Sequence, residues 1–392
     1  MKSLQMNQQS GQACCAPPKN ADALSPDSNT RIQAMKSLSG ITKEKPPWVT
    51  GIINTPAGLV PVASTQWTRA DRLGQIRSRI SAFRENYSMR PGLYAVGAPD
   101  ASSDIFVSAN YKLSFDILRR ALQGISGWIL VLDTKGINVW CAAGKGTFGT
   151  DELVKRVLGL NLAALVSHRN LIVPQLGATG VQAAAVKKKT GFNVRFGPVE
   201  AEDIPVYVRA GHAATSAMRE IRFGMVERMV LTPIELNQAI RRFPVAALII
   251  LVLFGLQPSG ILFKSAWLEG WPFILLCLTS VLAGAFFTPV LLPFIPFRSF
   301  AVKGLLAGTA AVIPLVLLTP VGSGSIFLNA SAITLFPLIS SYLALQFTGA
   351  TTFTTFSGVK KELKLWVPVY ITGLAASVIL LILYKIQSWG LI

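Results

Sequence analysis

The sequence is poor in charge. Only 14% of its 392 residues are Asp, Glu, Lys or Arg, where an ordinary globular chain carries about 25%. With 51% hydrophobic residues and a mean hydropathy of +0.47, that deficit excludes a wholly water-soluble protein of this size, and part of the chain is expected in lipid. Acids are scarcer than bases, 19 against 37, for a net charge of +18. Nine Lys/Arg and two acids lie from Arg241 onward, which leaves 28 bases and 17 acids, a net +11, before it. Such an excess suits the anionic inner face of a bilayer as well as a polyphosphate. No module of interleaved aromatics and arginines is present, so no nucleic acid partner is expected and the membrane is preferred. Histidine is nearly absent. His168 and His212 stand 44 residues apart without a Cys or second His at ligand spacing, which excludes a His-based metal cluster. The four cysteines, Cys14, Cys15, Cys141 and Cys277, are too few and too scattered for a disulfide framework or a four-thiolate cluster in one domain, so a reducing compartment is expected. A G-x-S-x-G elbow is missing too, which leaves a serine hydrolase unsupported.

The chain divides into three parts. Residues 1–46 are rich in Ser, Gln, Asn, Lys and Pro; they cannot bury enough apolar surface to offset chain entropy and are expected to be a disordered tail. They hold no apolar run behind a basic start, so no secretory signal is expected. Residues 47–235 alternate short apolar runs with helical patterns. Strands are expected at Leu93 to Gly97, Trp128 to Asp133, Asn170 to Leu176 and Asn193 to Val199. Helices are expected from Ser114, from Asp151 and from Gly180, the last ending on a Lys cluster and Gly191. This alternation predicts an α/β, Rossmann-like domain with a mainly parallel sheet, whose ligands bind beyond the carboxyl ends of the strands.

Residues 236–392 predict an all-α membrane domain of five transmembrane helices, at about 243–263, 271–294, 304–321, 325–347 and 365–384, each near the roughly 20 residues that cross a hydrocarbon core. Gln257, Pro258, Ser259 and Gly260 interrupt the first, whose alternative is a re-entrant hairpin. Arg241, Arg242, Arg298, Lys303, Lys360, Lys361 and Lys364 fall on one side, and Lys264 and Lys385 on the other. Seven against two predicts an α/β domain in the cytoplasm, at the inner membrane, with the carboxyl terminus on the opposite face. Ionisable residues near the middle of the spans are absent, which favours an anchor or docking platform over a transporter.

The most unusual string is GINVWCAAGKGTFGTDEL, Gly136 to Leu153. Gly144, Gly146 and Gly149 spell G-x-G-x-x-G between an expected strand and a helix with Thr150 as N-cap. However, Ser167, His168, Arg169 and Asn170 stand where the ribose-binding acid of a nucleotide fingerprint should be. A phosphate loop fails as well, because Gly146 rather than Ser or Thr follows Lys145. Cys141, expected at a strand end, reads either as a small buried hydrophobe or as a thiolate that Lys145 would favour. Ala142, Ala143 and Gly144 would let something large and flat approach the backbone.

The string Asn138, Val139, Trp140, Cys141, Ala142, Ala143, Gly144, Lys145 closely resembles the N-V-W-C-A-A-G-K motif of the mercury-methylating corrinoid proteins, the HgcA family. Supporting strings are PGLYAVG from Pro91, SANYKLSFD from Ser108, LVLDTKG from Leu130, HRNLIVPQLG from His168 and GFNVRFGPVEAEDIP from Gly191. The likeness covers about Trp48 to Val230 and continues into a five-span tail. The corrinoid domain is also similar, more distantly, to the large subunit of the corrinoid iron-sulfur protein of the acetyl-CoA pathway, whose four clustered cysteines are missing here.

The resemblance implies a cobalamin cofactor with Cys141 as the lower axial ligand of its cobalt and as the catalytic residue. The other seven motif residues would shape the corrin's lower face, although Trp140 reads equally well as plain core. It further implies a methyltransferase that passes methyl from methyl-Co(III) cobalamin to the substrate Hg(II), forming methylmercury. A methyltetrahydrofolate-linked donor protein would supply the methyl group, and an HgcB-like ferredoxin with two 4Fe-4S clusters the electrons. The alternatives are a membrane-anchored corrinoid methyl carrier with another acceptor, and a nucleotide-binding membrane protein.

Overall fold

The computed structural model describes residues 46–318, 325–351, 353–354 and 356–391. The tail expected to lack structure lies outside them apart from Pro46, as do Cys14, Cys15 and the end of the third expected span.

Seven strands form one mixed, mostly parallel sheet: β1 (Val49–Thr55), β2 (Gly58–Ala63), β3 (Gly92–Val96), β4 (Ile105–Ala109), β5 (Gly127–Leu132), β6 (Asn170–Val173) and β7 (Asn193–Phe196). Their spatial order is β1-β2-β3-β5-β4-β6-β7. The β1–β2 hairpin and the β3–β5 pair are antiparallel; the other four pairs are parallel. Every residue of β4 and β5 is buried, as expected of central strands covered on both faces. Side chains alternate between two cores. Ala95, Val107, Leu130 and Leu132 face one, which is closed by α3 (Val139–Gly144), α4 (Thr150–Gly159) and α5 (Ala183–Thr190). Tyr94, Phe106, Ile129 and Val131 face the other, with Phe115 and Leu118 of α2 (Lys112–Ala121). A further helix, α1 (Arg69–Ile80), lies between β2 and β3.

All four expected strands are present, the first two shifted by one residue and the last two ending three residues early, together with the three expected helices; Gly191 closes α5 in the left-handed conformation at φ 78°. The hairpin β1–β2 and strand β4 were not expected.

The rest is helical: α6 (Met225–Gly255), α7 (Phe263–Leu282) continued by a π turn to Val290, α8 (Phe300–Leu318), α9 (Ile326–Gln346) and α10 (Phe356–Ser388). These five helices are long and apolar enough to cross a membrane. The expected first span, 243–263, is corrected at both ends. Helix α6 starts 18 residues earlier and stops at Gly255, and Leu256–Ile261 forms a two-stranded hairpin whose turn is the Gln257–Gly260 interruption. The second helix therefore begins at Phe263 rather than Trp271.

Candidate functional site

Six residues after β5 the chain enters α3, and its start is fixed by one side chain. The Asn138 Oδ1 accepts from the Cys141 backbone N–H at 2.9 Å, an N-cap that satisfies one of the orphan donors of the first turn. With the start fixed, the helical repeat sorts the motif into two faces. Val139, Ala142 and Ala143 turn into the core. Trp140, Cys141, Gly144 and Lys145 are exposed, at the i, i+1, i+4 and i+5 positions that share one side of a helix.

This placement corrects three expectations. Cys141 sits in the first turn of a helix, not at a strand end, and its thiol is exposed rather than a buried hydrophobe. Trp140 is 41% exposed and is not plain core. The glycines do not form a nucleotide loop, because α3 intervenes between β5 and Gly144; Gly149 rather than Thr150 is the N-cap of α4.

The open face is unobstructed. A Cβ added to Gly144 or Gly146 would meet no heavy atom within 4 Å, whereas one at Gly180 would collide with the Phe148 carbonyl and the Ala143 backbone. Gly180 thus lets the following loop press α3 from behind, while Gly144 keeps the front flat. Lys145 closes the helix by donating its backbone N–H to the Cys141 carbonyl at 3.1 Å.

Beside Trp140 a cleft of about 370 Å³ opens beyond the carboxyl ends of β4, β6 and β7. Phe106 and Ser108 of β4, Pro174 and Pro198 line it together with Asn138 and Trp140, and Leu231 and Ile234 of α6 reach it from the helical region. Its polar wall, Arg79, Arg84, Tyr111 and Glu200, was not singled out from the sequence. Tyr111 and Glu200 do fall inside two of the supporting strings. Burial pushes the Glu200 carboxyl up against the pull of Arg222. Both histidines are engaged elsewhere, His168 with the Ser103 carbonyl at 3.0 Å and His212 with Asp104 at 2.8 Å.

Part of the α/β region is similar to known proteins. Residues 81–208 match the family model of the CO dehydrogenase/acetyl-CoA synthase delta subunit. The chain is similar to the acetyl-CoA decarbonylase/synthase complex subunit gamma of Methanopyrus kandleri, 32% identical over 128 residues that make up 32% of this chain and 27% of that protein. The same subunit of Archaeoglobus fulgidus is 29% identical over 119 residues, 30% of this chain and 25% of the relative. The corrinoid/iron-sulfur protein large subunit of Moorella thermoacetica is 27% identical over 124 residues, 31% and 27% of the two chains. The chain therefore spans about a quarter of the length of these relatives.

Proposed function

We propose that this chain is a membrane-anchored corrinoid methyltransferase of the mercury-methylating kind, with Cys141 as the lower axial ligand of cobalt in cobalamin and Hg(II) as the methyl acceptor. The observation that carries this reading is the exposed thiol of Cys141 on the flat outer face of α3, in a region similar to a protein named for its corrinoid.

The residues fit a corrin. A Cβ at Gly144 or Gly146 would meet no heavy atom within 4 Å, so the helix surface next to the thiol is uncrowded at these two positions and a flat macrocycle can approach it there. When bound, the corrinoid would supply cobalt chemistry that accepts a methyl group and gives it to an electrophile, and a thiolate donor such as Cys141 would favour its release with the bonding electron pair. The protein's part is positional. Asn138 fixes the helix that carries the sulfur, Val139, Ala142 and Ala143 anchor that helix in the core, and Trp140 and Lys145 flank the thiol on the open side.

Residues 47–235 are assigned as the corrinoid-binding domain and 236–392 as the membrane domain. The seven-to-two distribution of Lys and Arg supports an α/β domain on the cytoplasmic side, with the carboxyl terminus across the membrane. Cys141 is the one cysteine within residues 47–235, so reducing electrons have to come from a separate protein, for which a ferredoxin with two 4Fe-4S clusters is proposed. A methyltetrahydrofolate-linked protein is proposed as methyl donor.

The test is the visible spectrum of the full chain in detergent, loaded with cobalamin, beside Cys141→Ala, together with methylmercury formation from thiol-bound Hg(II). Bands that shift on removing Cys141, and loss of methylmercury, are expected. Identical spectra and undiminished output would sink the mechanism. Methyl transfer to other acceptors but not to Hg(II) would replace mercury as the substrate while keeping the corrinoid.

A further inference from the structure

Helix α1 is built inside out. On an ordinary surface helix the apolar residues face the core, but here Asp71, Gly74 and Ser78 are the buried positions. Leu73, Ile76 and Ile80 face outward at 53%, 52% and 42% exposure, and Phe83 just beyond the helix end is 37% exposed. The inversion has a structural cause. Asp71 turns inward to pair with Arg119 at 2.8 Å, and Tyr87 packs where a side chain at Gly74 would stand. Once Asp71 faces inward, the helical repeat carries the three aliphatic residues to the outside as one stripe.

That stripe is set among cations. Arg69, Arg72 and Arg77 are exposed on the same helix, and Arg79 and Arg84 are half-buried at its end. The acids nearby are Asp71, which is already paired, Glu85, Glu235 of α6 beside Arg84, and Glu200 in the cleft wall with Arg79 and Arg84, so the exposed Arg69, Arg72 and Arg77 carry the free positive charge of the stripe. An apolar stripe rimmed by arginine is the composition of a helix that lies in a bilayer interface and draws on anionic headgroups.

The position of α1 agrees. Asn237 of α6 donates its side-chain N–H to the carbonyl of Ile80 at 2.7 Å. The apolar run of α6 begins at Phe243, six residues on, and at 1.5 Å per residue that is about 9 Å along the helix. The polar interface between hydrocarbon and water is of comparable depth, so the end of α1 stands at headgroup level.

We infer that α1 is an interfacial membrane helix, with Leu73, Ile76, Ile80 and Phe83 seated in the leaflet on the α/β domain's side and its arginines on anionic lipid. The inference rests on the five helices crossing a bilayer and is independent of the corrinoid. It would hold the cleft beside Trp140, whose wall includes Arg79 and Arg84, at a fixed height above the membrane.

The experiment uses the full chain with its four native cysteines replaced, carrying a bimane on Ile76→Cys or, as a solvent control, on the exposed Lys188→Cys. The protein is reconstituted in vesicles of phosphatidylcholine alone or with phosphatidylglycerol, each with or without doxyl-labelled lipid. Position 76 is expected to lose at least about half its emission to the lipid quencher in the anionic vesicles, less in the neutral ones, while position 188 is unchanged. No more quenching at 76 than at 188 overturns the inference. Equal quenching in both lipids overturns the assignment to an anionic surface. Emission that follows protein-to-lipid ratio instead of quencher marks a second copy on this face, and overturns it too.

Discussion

The thiol of Cys141 is exposed because of a single preceding residue. Asn138 sets where α3 begins, and a start one residue later would rotate the sulfur by about 100° toward the core. Asn138→Ala should therefore cost about 1 kcal/mol, as lost N-caps do, and lower cobalamin affinity as well; thermal unfolding with and without cofactor measures both. Gly144 separates folding from binding. An alanine there meets nothing and should stabilise the cofactor-free protein by about 0.5–1 kcal/mol, the usual gain over glycine in a helix. The same methyl group would stand on the face offered to the corrin. Gly144→Ala is thus expected to raise the melting temperature without cofactor and to weaken cobalamin binding in a titration; unchanged affinity would place the ligand elsewhere. The residue types of this site were legible in the sequence, but the face they occupy was not. Cys141 beside two alanines reads equally well as a packed hydrophobe until the cap that sets the helical phase is seen.

At the scale of elements, the α1–α2 junction depends on a buried ionic cluster. Arg119 is fully buried and pairs with Asp71 and Asp116; Lys112 also contacts Asp116 and Asp71, and the Arg119 guanidinium donates to the Gln66 carbonyl at 3.0 Å. Removing one partner of a buried pair leaves an uncompensated charge, at a cost of about 3–5 kcal/mol. Arg119→Ala should therefore bring the α/β domain close to unfolding, whereas Lys188→Ala, on the surface, should change stability by no more than about 0.5 kcal/mol. Urea titrations of the two variants give the comparison. The cluster also predicts a pH dependence. Burial alone would push the Asp71 carboxyl up, but hydrogen bonds from Thr68 and Arg119 and the charge of Arg119 bring it below its ordinary 3.8. The unfolded chain then takes up this proton at a higher pH than the folded one. The contribution is complete above about pH 3.8 and is lost as pH falls through the lower folded value. Asp71→Asn should remove that component from the acid limb of the stability curve. The expected strands were legible because β3, β5, β6 and β7 are apolar runs between turn signals. Strand β4 hid behind Ser108 and Asn110, and β1 and β2 carry Gly51, Pro61 and a polar alternation suited to a sheet edge. No local pattern could show that β3 runs antiparallel to β5, since that pairing joins residues more than thirty apart.

For the whole molecule, one basic residue counted for topology, Lys303, does more than mark a side, and Arg228 ahead of the first apolar run joins it. Lys303 is buried and donates to the Leu292 carbonyl. Arg228, also buried, donates to the carbonyls of Val290 at 3.1 Å and Phe223 at 2.7 Å. Between them they satisfy the closing carbonyls of the second candidate span. Glu362 of α10 does the converse at the start of α8, accepting from Ser299 Oγ and from the backbone N–H groups of Phe300 and Ala301. All these contacts lie at the ends of the helices on the α/β side, so the anchor is stitched where it meets the domain. Five spans could be counted from hydropathy, but their true ends could not, because helix α6 continues without a break through polar residues such as Glu227, Gln238 and Arg241 ahead of its apolar run. It follows that orientation and stability should respond differently to the same change. Lys303→Met leaves a buried carbonyl unpaired, at about 1–3 kcal/mol, and should lower the melting temperature in detergent. It leaves Arg241, Arg242, Arg298, Lys360, Lys361 and Lys364 in place, so a reporter fused at the carboxyl terminus should stay on the face opposite the α/β domain. Inversion of that reporter by this one substitution would show that loop charge alone, and not the packed helix ends, sets the topology.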